Sequence, residues 1–399
     1  MTPVSHSASA CPPGSGHAPG VSPGTGPAAG PGARDRRGRA RRARGVVAAL
    51  TVAGLLLSAC GLNVDNSGNR AEAQETTFDA ALAAFTTSTP PDPRSLRGLS
   101  TADSVGDVTP VTDSPSPSLP VSLTDADGYD VTVSDVSRIL PLDLYGTTSR
   151  TVAGLGLRDN IVGRTVSSEE PSLKELPVVT QGGHNINVEA VLNLHPSLVI
   201  VDHSIGPREA IDQIRDAGVT VAVINPKHTM DAIGDDIRTI AGVVGLPDVG
   251  ESLATRAGDE LSRASDTVKK IVPADPLRMA FVYARGTGGV FFILGPDSGT
   301  TDLFESVGGH DAAADRKIGD MTPATAEALA QLNPEVIVMM SQGLESTGGL
   351  DGLLKRPGIA ETTAGKTPRI VAIPDSQALS FGPQAGEMVL AFAKALYQG

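Results

Sequence analysis

"LPDVGESLATRAGDELSRASDTVKKIV" runs from Leu246 to Val272, and its reading decides the fold. After Pro247 it holds no proline, and its only glycines are Gly250 and Gly258. Leu253, Ala257, Leu261, Ala264 and Val268 recur at helical spacing. The pattern predicts one helix of roughly 22 to 25 residues, on the order of 35 Å at about 1.5 Å per residue.

Short β-rich runs and helical stretches alternate on both sides of it. Before it come "RIL" (138–140), "LVIVD" (198–202) and "VTVAVI" (219–224), with "GPREAIDQIRDAG" and "TMDAIGDDIRTIAGVVG" as helices. After it come "RMAFVYA" (278–284), "EVIVMM" (335–340) and "RIVAIP" (369–374), then a final helix from about Pro383 to Tyr397. Such alternation predicts α/β architecture with parallel sheets. The expected fold is two Rossmann-like lobes, residues 119–245 and 273–399, joined by the single helix at 246–272.

The lobes also echo one another. "VEAVLNLHPSLVIV" (188–201) aligns without gaps on "AEALAQLNPEVIVM" (326–339). Glu189 matches Glu327, Pro196 matches Pro334, and His195 stands where the second copy has Asn333. The match predicts a duplicated helix–turn–strand joint.

The N-terminal region reads differently. Residues 1–33 are rich in Pro, Gly and Ser and cannot bury a core. A basic run, "RDRRGRARRARG", and an apolar stretch ending at Cys60 follow. That stretch is shorter than the about 20 residues a spanning helix needs, so residues 1–59 are expected to be a secretory signal with an N-terminal extension. Leu57, Ser58, Ala59 and Cys60 resemble the lipobox of bacterial lipoproteins. The resemblance implies cleavage before Cys60, a diacylglycerol on its thiol, and a chain held on the outer face of the cytoplasmic membrane. Residues 60–118 mix Ser, Thr, Pro, Asp and Gly and are expected to be a flexible tether, with a short helix near "TTFDAALAAF" and ordered structure from about Val121.

Cysteine and charge agree with export. The two cysteines are Cys11 and Cys60, so a mature chain would hold no disulfide. Residues 1–59 carry seven Arg and one Asp; their removal takes the net charge from −13 to −19. Such acidity argues against nucleic acid as a partner.

Lipobox, two α/β lobes, one connecting helix and the duplicated joint resemble the substrate-binding proteins of iron-siderophore, cobalamin and haem ABC transporters. The resemblance covers about Val121 to Gly399. It implies a ligand cleft between the lobes, lobes that move little because the helix is stiff, and partners in an ABC permease and its ATPase. It also implies docking of an acidic residue on each lobe, here Glu189 and Glu327, to the permease. Within that family the chain looks most like the haem-binding lipoproteins of actinobacteria. Their pattern has a His in a glycine loop of the first lobe and Tyr-x-Arg at a strand end of the second. The matching stretches are "TQGGHNIN", with His184, and "VYARGTGG", with Tyr283 and Arg285.

The chemistry suits those residues. Haem iron offers two axial positions, which a cleft can fill from both sides: an imidazole nitrogen of His184 and a phenolate oxygen of Tyr283. Phenolate is a hard anionic ligand suited to ferric iron, and Tyr ligation of haem has precedent. A free phenol ionises near about pH 10, so ligation at neutral pH is helped by a neighbouring positive charge. Arg285 lies two positions from Tyr283 on a strand, hence on the same face. It can supply that charge, or it can bind a haem propionate. Gly182, Gly183, Gly286, Gly288 and Gly289 let backbone approach a flat macrocycle. An upstream haem-donor surface protein is a further expected partner.

Rival readings are a siderophore, cobalamin or divalent-metal receptor of the same class, or an enzyme. A metal site needs three or four converging His, Asp or Glu ligands. For an enzyme, the sequence shows no G-x-S-x-G, no P-loop, no G-x-G-x-x-G after a first strand, and no cysteine nucleophile.

Overall fold

The computed structural model describes residues 77–85 and 92–399. The signal, lipidation and Cys60 readings lie outside the described residues. Among those described, no helix is long and apolar enough to cross a membrane.

The first lobe is built on three parallel strands, β4 (Ile139–Leu142), β7 (Leu198–Val201) and β8 (Val221–Val223), in the order β4-β7-β8. Every residue of the three is buried. Helices α2 (Thr147–Val152), α4 (Arg208–Asp216) and α5 (Ile233–Val243) accompany them. A strand covered on both faces reads as an unbroken aliphatic run, as "LVIV" does. Two antiparallel hairpins complete the lobe: β2 (Val121–Thr124) with β3 (Asp130–Val133), and the small β5 (Thr180–Gln181) with β6 (Asn185–Ile186). Helix α3 (Val188–Asn193) follows the second hairpin.

Helix α6 spans Pro247–Val268, 22 residues. Pro247 sits in the first turn, where a missing N–H costs nothing. Leu253, Ala254, Ala257, Ala264 and Val268 form its buried stripe. A Cβ on Gly250 would lie 2.2 Å from the Ala241 Cβ, so this glycine sets how closely α5 and α6 approach.

The second lobe contains β9 (Arg278–Arg285), β10 (Val290–Leu294), α7 (Thr300–Ser306), β11 (His310–Asp311), α8 (Ala312–Asp315) and β12 (Met321–Pro323). It continues with α9 (Ala326–Leu332), β13 (Val336–Met340), α10 (Ser341–Ser346), α11 (Gly349–Leu354), α12 (Thr363–Lys366), β14 (Arg369–Ile373) and α13 (Ala385–Tyr397). β14, β13 and β9 run parallel, whereas β10 pairs antiparallel with both β9 and β12. This sheet is therefore mixed, not purely parallel. The strand that makes it so, "VFFIL", is joined to β9 by the glycine loop that follows Arg285.

The chain before Val121 departs from the expected tether. Helix α1 (Phe78–Ala84) forms where "TTFDAALAAF" suggested, capped by Thr77, whose hydroxyl accepts from the Ala80 N–H. Strand β1 (Gly98–Thr101) then pairs parallel with β14 and becomes the edge strand of the second lobe's sheet. From there the chain runs along both lobes. Arg369 donates to Ser100 Oγ at 2.6 Å, Val111 N–H to Gly154 O at 3.0 Å, and Ser118 N–H to Gly245 O at 2.8 Å. Residues 92–118 are thus an ordered arm. Their polar composition is satisfied by partners distant in sequence, which composition does not reveal.

The duplicated joint has the same geometry in both lobes. Asn187 and Thr325 cap α3 and α9, and Glu189 and Glu327 lie two residues after the cap. His195 and Asn333 both adopt left-handed backbone, φ 45° and 40°, before a proline and a buried strand. Asn tolerates that conformation better than other L-residues, which explains its place in the second copy.

One carboxyl at the packing of α6 and α13 gives the fold a pH dependence. Burial pushes Glu387 up to about 7, with Glu260 adding to the rise and the Gln384 hydrogen bond opposing it. A carboxyl raised on folding contributes stability below its unfolded value, near 4.5, and that stability is lost as pH rises through about 7. Glu387→Gln is therefore expected to stabilise the protein by about 3 kcal/mol at pH 8 and hardly at all at pH 4. Urea unfolding at both pH values checks this; an equal effect at the two would refute it.

Candidate functional site

Tyr283 and Arg285 lie on the same face at the end of β9, both half-buried, with Ala284 between them buried on the other face. Tyr283 pairs in register with Phe292 of β10. The Arg285 guanidinium carbon lies 4.8 Å from the centre of the Tyr283 ring. Its Nη2 donates to Asp375 Oδ2 at 2.7 Å and approaches Met340 Sδ at 3.4 Å. The loop after β9 turns at Gly286, φ 67°, whose N–H donates to Ser346 Oγ. Arg356 clamps this loop: it donates to the carbonyls of Gly286 and Gly288, at 2.7 and 3.0 Å, and covers the Phe291 ring.

His184 stands on the first lobe, exposed, at the tip of the β5–β6 hairpin. Gly182 and Gly183 before it adopt φ 59° and 91°, which the tight turn requires. Its backbone is fixed, because Gly206 N–H donates to His184 O at 3.0 Å. Three of the five described histidines pair with an aspartate: His203 with Asp127, His228 with Asp202 and His310 with Asp315. The imidazoles of His184 and His195 have no such partner. His195 serves the left-handed turn, which leaves His184 as the histidine with both a glycine loop and a free ring. No hydrogen bond or ring contact among the described residues joins His184 to Tyr283; they sit on different lobes. Glu189 and Glu327 are both exposed.

The lobes touch through polar contacts. Met230 N–H donates to Asp302 Oδ2 at 2.7 Å, Thr147 Oγ1 lies 3.3 Å from Ser380 Oγ, and Gln342 Nε2 donates to Glu169 Oε1 at 2.9 Å. Arg150, fully buried on α2, donates to Gln384 Oε1 at 2.7 Å. At the carboxyl ends of β4 and β7 lie Asp143 and Asp202, with the Tyr145 and His228 rings 4.4 Å apart between centres and tilted by 47°. Burial pulls the His228 imidazole down, but the Asp202 hydrogen bond and charge, with Asp143 and Asp236, leave it raised overall. Sequence reading missed the roles of Asp375, Arg356 and the Tyr145–His228 pair. Asp375 and Tyr145 lie just past strand ends, a signal that requires knowing how the strands are ordered, whereas His228 and Arg356 lie in the loops after β8 and α11. Among the described residues no group of three or more His, Cys, Asp or Glu could hold a bare metal ion.

The family model of periplasmic binding proteins matches residues 144–377. A crystal structure of the heme binding protein HmuT is 63% identical, covers 77% of this chain and all of its own, and superposes with a TM-score of 0.76. The periplasmic heme-binding protein RhuT from Roseiflexus sp. RS-1, in apo form, is 34% identical over 66% of this chain and 99% of its own, with a TM-score of 0.61. The ABC transporter substrate-binding lipoprotein YvrC of Bacillus subtilis (strain 168), itself uncharacterized, is 28% identical over 281 residues, 70% of this chain and 86% of that one. Alanine variants of HmuT have also been solved, at a histidine, at a tyrosine 99 positions later, and at an arginine two positions beyond the tyrosine. His184, Tyr283 and Arg285 have the same separations.

Proposed function

Because the chain belongs to the periplasmic binding protein family, we propose that it captures ferric haem between its two lobes and hands it to an ABC permease for import. Tyr283 supplies a phenolate oxygen to one face of the iron and His184 an imidazole nitrogen to the other. The observation that carries this reading is the 63% identity along the whole of a heme-binding protein, with the His, Tyr and Arg separations in common. The free ring of His184 and the cation against Tyr283 support it chemically. The chain is a binding protein, not an enzyme, and two protein ligands would leave the iron no open position for turnover. Lipid on Cys60 holds it at the outer face of the cytoplasmic membrane, where an upstream surface protein supplies haem.

Haemin titrated into the purified full-length protein tests the reading. Saturation at one haem per chain, with a tyrosinate-to-iron charge-transfer band, is expected. Absence of saturable binding would overturn it.

Permease docking rests on Glu189 and Glu327, exposed at equivalent places of the two lobes. Reversing both charges to Lys is expected to abolish haem-dependent growth and leave the haemin titration unchanged. Growth at the wild-type rate would remove both residues from that role.

A further inference from the structure

Arg285 reaches the Tyr283 ring because it is held from behind. Asp375 stands two residues past the end of β14, at the carboxyl ends of three adjacent strands, β14, β13 and β9. Its side chain is 14% exposed, against 38% for Arg285. Both carboxylate oxygens are engaged: Oδ2 accepts from Arg285 at 2.7 Å, and Oδ1 accepts from the Gln342 N–H at 2.8 Å, at the start of α10. Held at two points, the carboxylate cannot swing, so it fixes where the guanidinium lies.

Beside the other guanidinium nitrogen, Nη1, a glycine leaves room. A Cβ on Gly343 would lie 2.7 Å from Arg285 Nη1 and 2.9 Å from the Ala284 carbonyl oxygen. Met340 Sδ closes a further side at 3.4 Å from Nη2. Asp375, Met340 and Gly343 thus bound the guanidinium on three sides, with its carbon 4.8 Å from the centre of the Tyr283 ring.

Granting the haem reading above, we infer that Asp375 is a positioning residue for haem capture: it orients Arg285 against Tyr283, and Gly343 is left bare to make room. The arrangement also separates two roles open to Arg285. A guanidinium already paired with a buried carboxylate is a poor anchor for a propionate, because a second carboxylate would meet the negative charge of the first. Arg285 so held acts on the phenol.

The test follows the haem complex of the full-length protein in the wild type and in Asp375→Ala, Arg285→Ala, the double variant and Gly343→Ala. Haem dissociation rate and the tyrosinate charge-transfer band are read in each, and far-UV circular dichroism and thermal melting of the haem-free proteins report folding. Partners that orient a metal ligand are typically worth about 10- to 100-fold in affinity. Asp375→Ala should release haem about 10-fold faster and shift the band in the same direction as Arg285→Ala. The double variant should be no worse than Arg285→Ala alone, since the two act as one unit. Gly343→Ala, which displaces the guanidinium from the other side, should give the same shift and decides the matter if Asp375→Ala fails to fold. A wild-type band and rate in folded Asp375→Ala, beside an altered Arg285→Ala, would overturn the inference, as would additive effects in the double variant. Failure of the wild type to bind haemin would instead overturn the haem reading itself.

Discussion

Tyr283→Ala is expected to lower haem affinity by more than the about 10- to 100-fold that loss of a partner behind a metal ligand costs, because it removes the proposed ligand itself. The charge-transfer band should vanish with it. Tyr283→Phe separates ligation from packing. It keeps the ring, the pairing with Phe292 and the face that Arg285 covers, and removes only the oxygen. If the oxygen ligates iron, Phe and Ala lose the band alike. If Phe binds haemin as the wild type does, Tyr283 is a packing residue and the ligand lies elsewhere. His184→Ala should keep a tyrosinate band, altered in position, because the phenolate side remains. Its hairpin is held through backbone, by Gly206 on His184 O, so the loss of the ring leaves the loop in place.

Arg150→Ala is expected to destabilise the fold by about 3–5 kcal/mol, the usual cost of breaking a buried ion pair from one side. Arg150 is 1% exposed, and its Nε lies 3.9 Å from Glu170 Oε1, equally buried. Its Nη1 reaches Gln384, which itself donates to Glu387 and to the Gly106 carbonyl of the arm. One guanidinium thus ties α2, the Glu170 loop and the start of α13. Burial already pushes the Glu170 carboxyl up, and Arg150 is the main charge holding it down. Without Arg150 the carboxyl rises further. A carboxyl raised on folding is stabilising below its unfolded value, so the defect should be largest at neutral pH and shrink as pH falls toward 4. Arg150→Met combined with Glu170→Leu should recover most of the loss, since an apolar pair of similar volume needs no compensating charge. Denaturant melts at pH 7.5 and 4.5 decide the case. A loss under about 1 kcal/mol at pH 7.5 would mean that the pair is not an interlock.

What the sequence reveals of this molecule follows from how local each signal is. The strands at 198–201 and 336–340 announce themselves, because burial on both faces needs unbroken aliphatic runs. The helix Pro247–Val268 does so through its buried stripe. The left-handed residues at 195 and 333 were legible only as a repeat: one His before a proline is unremarkable, whereas the match to Asn333 marks a shared turn. Strand β1 was not legible. "GLST" has three small or polar residues in four, and its partner strand lies at the far end of the chain. The ligand candidates follow from residue type and glycine context, but Asp375 does not. Its carboxylate matters because β14, β13 and β9 lie side by side, and strand order is not written in any one segment.

Strand β1 has a consequence for how the molecule is assembled during synthesis. Leu99 pairs with Ile370, so one of the earliest ordered segments to be made waits for one of the last. At about 5–20 residues per second, the interval between them is on the order of tens of seconds. During it, the first lobe can close on local contacts, while the second sheet has neither its final strand nor its edge. A nascent chain stopped before residue 369 would carry an arm with nothing to pair with and a sheet with an open side, the usual seed of misassociation. Premature termination late in the reading frame should therefore yield aggregates rather than a protein short of its last helix.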